Sequence, residues 1–143
     1  MSRLHVHIAV QDLMQSIDFY STLFGSPPTK VESDYAKWQL DDPKVNFAIS
    51  CRGETPGLNH LGLQAESAGE LAAMEQRLSA AGFAGVAERG KACCYARSDK
   101  YWTVDPQGIA WESFHTLDSV PTFHGEAAGT AVQTACCTPA VGS

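Results

Sequence analysis

The chain has no apolar run near the roughly 20 residues that a membrane span requires, and Met1-Ser2-Arg3-Leu4-His5 has neither the charged start nor the apolar stretch of a signal peptide. A soluble, cytoplasmic protein is expected. Basic residues are also scarce. Ten Lys and Arg face sixteen Asp and Glu, a net charge of −6, so no positive surplus exists to neutralise nucleic-acid phosphates. Only 18% of the 143 residues are charged and 44% are hydrophobic, a balance that excludes intrinsic disorder and favours one compact domain. The five cysteines are odd in number, and four of them form the adjacent pairs Cys93-Cys94 and Cys136-Cys137. Neighbouring Cα atoms are only about 3.8 Å apart, and adjacent cysteines seldom bridge. Reduced thiols are therefore expected rather than a disulfide framework.

Hydrophobic periodicity supplies the elements. Leu4, Val6, Ile8 and Val10 alternate with His5, His7 and Ala9, which reads as a strand. Asp12 is an N-cap, Leu13, Ile17, Tyr20 and Phe24 recur at helical spacing, and Gly25 stops the helix. Short strands follow near 29–33, 35–40 and 44–51. The plan then repeats, with a strand at 60–65, a helix capped by Ser67 and Glu70 and ended by Gly82, and strands near 84–89, 100–104 and 109–115. Strand–helix–three strands thus occurs twice, with His5 and His60 at matching places 55 residues apart. The expected fold is α+β: two paired βαβββ modules, about 3–52 and 57–116, forming a curved, barrel-like mixed sheet around a metal cleft. Together they make one domain over 1–117. Residues 118–143 are small, polar and aperiodic and read as a flexible tail.

His5, His60 and Glu112 fall on three of these strands. If the repeat pairs its first strands, the two imidazoles meet at the centre of the joint sheet, and a carboxylate on the last strand completes a two-His-one-carboxylate face. Such a face leaves coordination positions open and suits Fe(II) with O2, or Mn, Ni or Co. Taken singly, a strand histidine is more often a hydrogen-bonded, half-buried residue, and Glu112 could simply face water. His7 shares the His5 face as a pocket or supporting residue, and neither His115 nor His124 is given a metal role.

His5-Val6-His7-Ile8-Ala9-Val10-Gln11-Asp12-Leu13, with Ser16-Ile17-Asp18-Phe19-Tyr20 and Phe24-Gly25, resembles the opening of vicinal-oxygen-chelate proteins. These include glyoxalase I, fosfomycin-resistance enzymes, extradiol dioxygenases and bleomycin-binding proteins. Val104-Asp105-Pro106-Gln107-Gly108-Ile109-Ala110-Trp111-Glu112 resembles their closing hairpin with its metal carboxylate. The resemblance covers roughly residues 3–116 and implies the ligand role for His5, His60 and Glu112. Strand 44–51 offers Asn46, Phe47, Ala48, Ile49 and Ser50 where glyoxalase I presents a further carboxylate, so three protein ligands are expected rather than four.

Cys93-Cys94 lies in a stretch, Gly90 to Lys100, that lengthens the second half. His60 to Glu112 spans about nine residues more than His5 to Ala48. An inserted loop of this kind is often a functional lid, and Lys91, Arg97 and Lys100 nearby would favour thiolates. Paired thiolates suit a soft, sulfur-seeking centre such as a trivalent organoarsenical. In an arbitrary protein the same pair is more often chance surface thiols, and beside a metal pocket a substrate-binding role is preferred. Within the superfamily, this pair ahead of Asp99-Lys100-Tyr101-Trp102 resembles the carbon–arsenic lyases. That resemblance implies Fe(II)- and O2-dependent cleavage of methylarsonous acid and trivalent aromatic arsenicals to arsenite, with Cys93 and Cys94 binding substrate. The alternatives are another superfamily metalloenzyme, a glyoxalase or thiol transferase, and a non-catalytic arsenic- or cadmium-binding protein. No nucleic-acid or membrane partner is expected, and the assembly is a monomer or homodimer. Cys51 reads as structural, and Cys136-Cys137 as thiols without a catalytic role.

Overall fold

The computed structural model describes residues 2–119 and 121, so the segment read as a tail, with His124, Cys136 and Cys137, lies almost wholly outside the described residues. In chain order the elements are β1 (Arg3–Ala9), α1 (Leu13–Phe24), β2 (Lys30–Glu32), β3 (Tyr35–Asp41), β4 (Lys44–Ser50), β5 (Gly57–Ala65), α2 (Ala68–Ala80), β6 (Val86–Cys93), β7 (Ala96–Val104) and β8 (Ala110–Ser119). The expected α+β composition and the twofold β-α-β-β-β succession are both present. The chain divides into two compact units, Arg3–Leu61 and the residues from Gly62 onward, with the boundary inside β5.

In the first unit the strand order is β2-β3-β4-β1-β5. β1 runs parallel to β4, pairing His5 with Asn46 and His7 with Ala48, whereas β3 and β4 are antiparallel. A parallel neighbour demands a crossover, and here it includes α1. The Asp12 side chain accepts from the Gln15 amide at 3.0 Å to start that helix, and Gly25 ends it in the left-handed conformation, φ 69°. Tyr20 and Phe24 of α1 pack on Trp38 and Phe47, with ring centroids 4.6–6.1 Å apart. Val6 and Ile8 join the same cluster. The opposite face of β1, carrying His5, His7 and Ala9, is more enclosed still. Alternation alone marks the Leu4 face as the core face. In fact β1 is covered on both sides, and Leu4 at its end is exposed.

In the second unit the order is β5-β8-β7-β6. Ser67 caps α2 by accepting from the Glu70 amide at 3.1 Å, and the Glu70 carboxylate reaches back to the Glu66 amide at 3.0 Å. This bond holds the Glu70 carboxyl below its ordinary range. The helix buries Leu71 and Met74 against Ala65 and Leu63. Close strand approach requires Gly62, because a Cβ there would run into the Glu112 carbonyl. The β7–β8 turn is organised by Asp105, whose Oδ1 accepts from the Gln107 and Ile109 amides at 2.8 and 2.9 Å.

The segment around Cys93-Cys94 differs from the lid-like loop expected. β6 and β7 extend into it as an antiparallel ladder, Cys93 facing Ala96. Cys94 and Tyr95 form a two-residue turn with φ values of 57° and 63°. Two left-handed residues are what a tight hairpin of this kind demands. Neither is glycine, so the turn carries strain of about 1 kcal/mol or more at each position.

Candidate metal centre and thiol pair

The period-2 geometry of β1 places His5 and His7 on one face, and β5 presents His60. All three are buried, at 5%, 1% and 1% exposure. One ring nitrogen from each lies within 4.8 Å of the other two. Hydrogen bonding fixes two of the tautomers. His5 Nδ1 lies 3.0 Å from the Asn46 carbonyl oxygen, which can only accept, so Nδ1 carries the proton. His60 Nδ1 likewise donates to the Asn59 amide oxygen at 2.8 Å. In the neutral form both rings have their lone pairs on Nε2, and these two nitrogens face each other at 3.2 Å. Two lone pairs at that distance repel unless a cation lies between them. Two metal–nitrogen bonds of about 2.1 Å meeting at roughly 100° give the same separation. The acceptors behind the rings are the usual outer partners of ligating histidines. The donor set therefore fits a transition-metal ion.

His7 is brought into this cluster although no ligand role is expected for it from sequence. Its Nε2 is 2.8 Å from the Ser50 hydroxyl, and its ring lies 4.8 Å from that of His60, tilted by 32°. The available signal was its spacing of two residues from His5 on one strand.

Glu112 belongs to β8 in the other unit, where Lys100 of β7 reaches diagonally across the ladder to it. Lys100 Nζ and Glu112 Oε2 are 2.6 Å apart, and both side chains are 5% exposed. The ammonium also lies 5.8 Å from the centroid of the Trp102 ring. A buried pair like this is costly to break from one side, by about 3–5 kcal/mol. Lys100 was counted from sequence only as a cation near the thiols, and its place as the partner of Glu112 was missed. The inward alternation of Lys100 with the fully buried Trp102 was the only hint.

The Cys93 and Cys94 sulfurs are 3.2 Å apart. The cations expected to favour thiolates are turned to carboxylates instead. Lys91 pairs with Glu88 at 4.0 Å, Arg97 with Asp118 at 2.9 Å, and Lys100 with Glu112. The Arg97 guanidinium holds the Asp118 carboxyl below its usual range. Cys51 Sγ donates to the Gln11 carbonyl at 3.3 Å, in keeping with a structural place. An apolar pocket in the second unit, lined by Leu63, Met74, Phe83, Val104 and Trp111 among others, contains none of the expected site residues.

Residues 2–113 match the profile of the Glyoxalase/Bleomycin resistance protein/Dioxygenase superfamily. The chain belongs to that superfamily. Relatives include a trivalent organoarsenical cleaving enzyme of Bacillus sp. strain MD1, 43% identical over 84% of this chain and 76% of the relative. An enzyme of the same name from Thermomonospora curvata is 38% identical over 97% of this chain and 90% of its own length. The cadmium-induced protein CadI of Mycobacterium tuberculosis strain H37Rv is 37% identical over 86% and 82%. Among solved structures, an extradiol ring-cleaving dioxygenase from B. fuscum superposes with a TM-score of 0.61 at 17% identity, over 85% of this chain and 34% of that one. At that identity the likeness concerns the fold alone. The resemblance to carbon–arsenic lyases is thus borne out by similarity over most of the chain. No helix of the described residues is long and apolar enough to cross a membrane.

Proposed function

We propose that this superfamily member cleaves the carbon–arsenic bond of trivalent organoarsenicals in an Fe(II)- and O2-dependent reaction. The observation that carries the reading is the vicinal sulfur pair, 3.2 Å apart, in a chain whose relatives of 38–43% identity are named for this cleavage. Arsenic(III) is thiophilic, and two sulfurs can hold it while its bond to carbon stays intact. Cys93 and Cys94, as reduced thiols, bind the arsenical in this way. The strained turn at Cys94 and Tyr95 holds both sulfurs at the hairpin tip.

His5 and His60 hold the metal through Nε2, with Glu112 as the carboxylate that the family resemblance assigns. Ni, Co or Mn could occupy the same ligands. When bound, Fe(II) supplies the activation of O2 for oxidation at the arsenic–carbon bond. The Asn46 carbonyl and the Asn59 side chain keep both imidazoles in the ligating tautomer. Lys100 holds the Glu112 carboxylate in place. For methylarsonous acid, one O2 consumed with arsenite and formaldehyde released balances atoms and electrons.

The test is O2 uptake and arsenite release with methylarsonous acid, on protein with verified bound iron and reduced thiols. Matched uptake and release are expected, and no cleavage under those conditions rejects the reading. A second reading, sequestration of cadmium or arsenite by the thiols without turnover, is favoured by the CadI relative. It requires stoichiometric, thiol-dependent binding with no O2 consumption.

A further inference from the structure

We propose that the apolar cavity between α2 and strands β7 and β8 is a second ligand site, built for a small phenolic carboxylate such as a hydroxybenzoate. It lies wholly within the unit from Gly62 onward and encloses about 280 Å³. At roughly 30 Å³ per water molecule this is the space of some nine waters, enough for a single-ring ligand. Alternation along β8 turns Glu112 to one face of the strand and Trp111 and Ser113 to the other. The second face lines the cavity, so an occupant lies on the side of β8 away from the Glu112 carboxylate. The inference does not rest on the proposed function.

The polar residues of the lining are in different states. Asp105 is fully engaged, its oxygens accepting from the Gln107 and Ile109 amides and the Trp111 indole. Ser113 lines the cavity at 6% exposure, and its hydroxyl has no hydrogen-bond partner among the described residues. Buried hydroxyls are normally paired, and a ligand hydroxyl inside the cavity would supply that bond. Arg77, in the last turn of α2, is exposed and lines the same cavity. It has no ion pair among the described residues, and its planar fork matches a carboxylate. The apolar wall includes Met74, Phe83 and Trp111, and two rings with a thioether favour an aromatic occupant. Phe83 is 60% exposed, so a ring seated against it removes apolar surface from water. A carboxylate at the exposed Arg77, a ring on the apolar wall and a hydroxyl reaching the buried Ser113 together describe a phenolic acid.

The experiment titrates the full chain, labelled with ¹³C in its methionine methyls, with 4-hydroxybenzoate. It is run anaerobically with and without one equivalent of Fe(II). Met74 lines the cavity, whereas Met14 is exposed on α1 and serves as the control. The Met74 methyl is expected to shift saturably, with iron or without, while the Met14 methyl stays in place. Arg77→Gln is expected to weaken binding at least about tenfold and Ser113→Ala about fivefold, each variant checked for folding by circular dichroism. The uncharged 4-hydroxybenzyl alcohol is expected to bind as weakly to the wild-type protein as the acid binds to Arg77→Gln. No Met74 shift at millimolar acid, or equal affinity in Arg77→Gln, would overturn the proposal. So would a Met74 shift that follows protein concentration instead of ligand, the sign of a second copy of the chain on this face.

Discussion

The two β-α-β-β-β repeats share a plan and divide the chemistry unequally. The first packs its sheet beneath an aromatic cluster of Tyr20, Phe24, Trp38 and Phe47 and carries His5 and His7 on β1, while His60 lies on β5, which opens the second. The second has a smaller core of Ala65, Leu71 and Met74. It spends its length on a long hairpin and carries the sulfurs and the buried Lys100–Glu112 pair. A repeat inherits topology from its hydrophobic period. What lies on its other faces is free to diverge, so both repeats place a histidine on their first strand while the second alone carries the sulfur pair and the buried Lys100–Glu112 pair.

Breaking the second half chemically should have the largest effect. Cys93→Ser together with Cys94→Ser is expected to lower arsenite release by more than about a thousandfold, some 4 kcal/mol of barrier. Metal content, measured by elemental analysis, should stay at the wild-type level. Retained activity would mean that the two halves do not divide the work in this way.

The two halves should also differ in how their stability fails. Trp38→Ala empties a fully buried site and is expected to cost about 3–5 kcal/mol in urea denaturation. Lys100→Met in the metal-free protein should cost about as much by stranding the Glu112 carboxylate. The second loss should be largely rescued by adding Glu112→Gln, whereas a cavity offers no such single-site remedy. Equal rescue in both halves would erase the contrast.

The helix starts should be alike. Asp12→Ala and Ser67→Ala each remove one amide acceptor, and each is expected to cost about 1 kcal/mol. A clear inequality would show that one helix is held mainly by its cap and the other by packing.

The smallest effect is in acid. The amides of Ile109, Gln107 and Gly108 and the Trp111 indole hold the Asp105 carboxyl below its ordinary value of 3.8. A depressed carboxyl stabilises the fold fully above its unfolded value and loses that contribution as pH falls through the folded one. Asp105→Asn is therefore expected to flatten the decline in stability below about pH 4, measured by thermal melts across that range.

Much of the fold was legible because its signals are local. Asp12 and Gly25 bound α1, Ser67 opens α2, and the alternation at 4–10 and 60–65 marks β1 and β5. The Cys93-Cys94 segment reads as an inserted loop because the second half is about nine residues longer than the first, whereas those residues extend β6 and β7. The ladder that makes it a hairpin depends on partners in β7 that no local pattern names. His5 and His60 were found together because the repeat makes their equivalence visible. His7 and Lys100 are not, since the sequence marks one as a pocket or supporting residue and the other as a cation near the thiols, and nothing in the spacing shows which neighbours they meet.

Period and capping chemistry act within a few residues, so the sequence by itself determined the succession of strands and helices, the doubled plan, and the faces on which the histidines lie. The tertiary structure decided which nitrogen of each imidazole bears the proton, that Lys100 claims Glu112, and that two cysteine sulfurs stand 3.2 Å apart at a strained turn. Those outcomes depend on hydrogen-bond acceptors and opposite charges contributed by segments distant in the chain, and they exist only once the strands have paired.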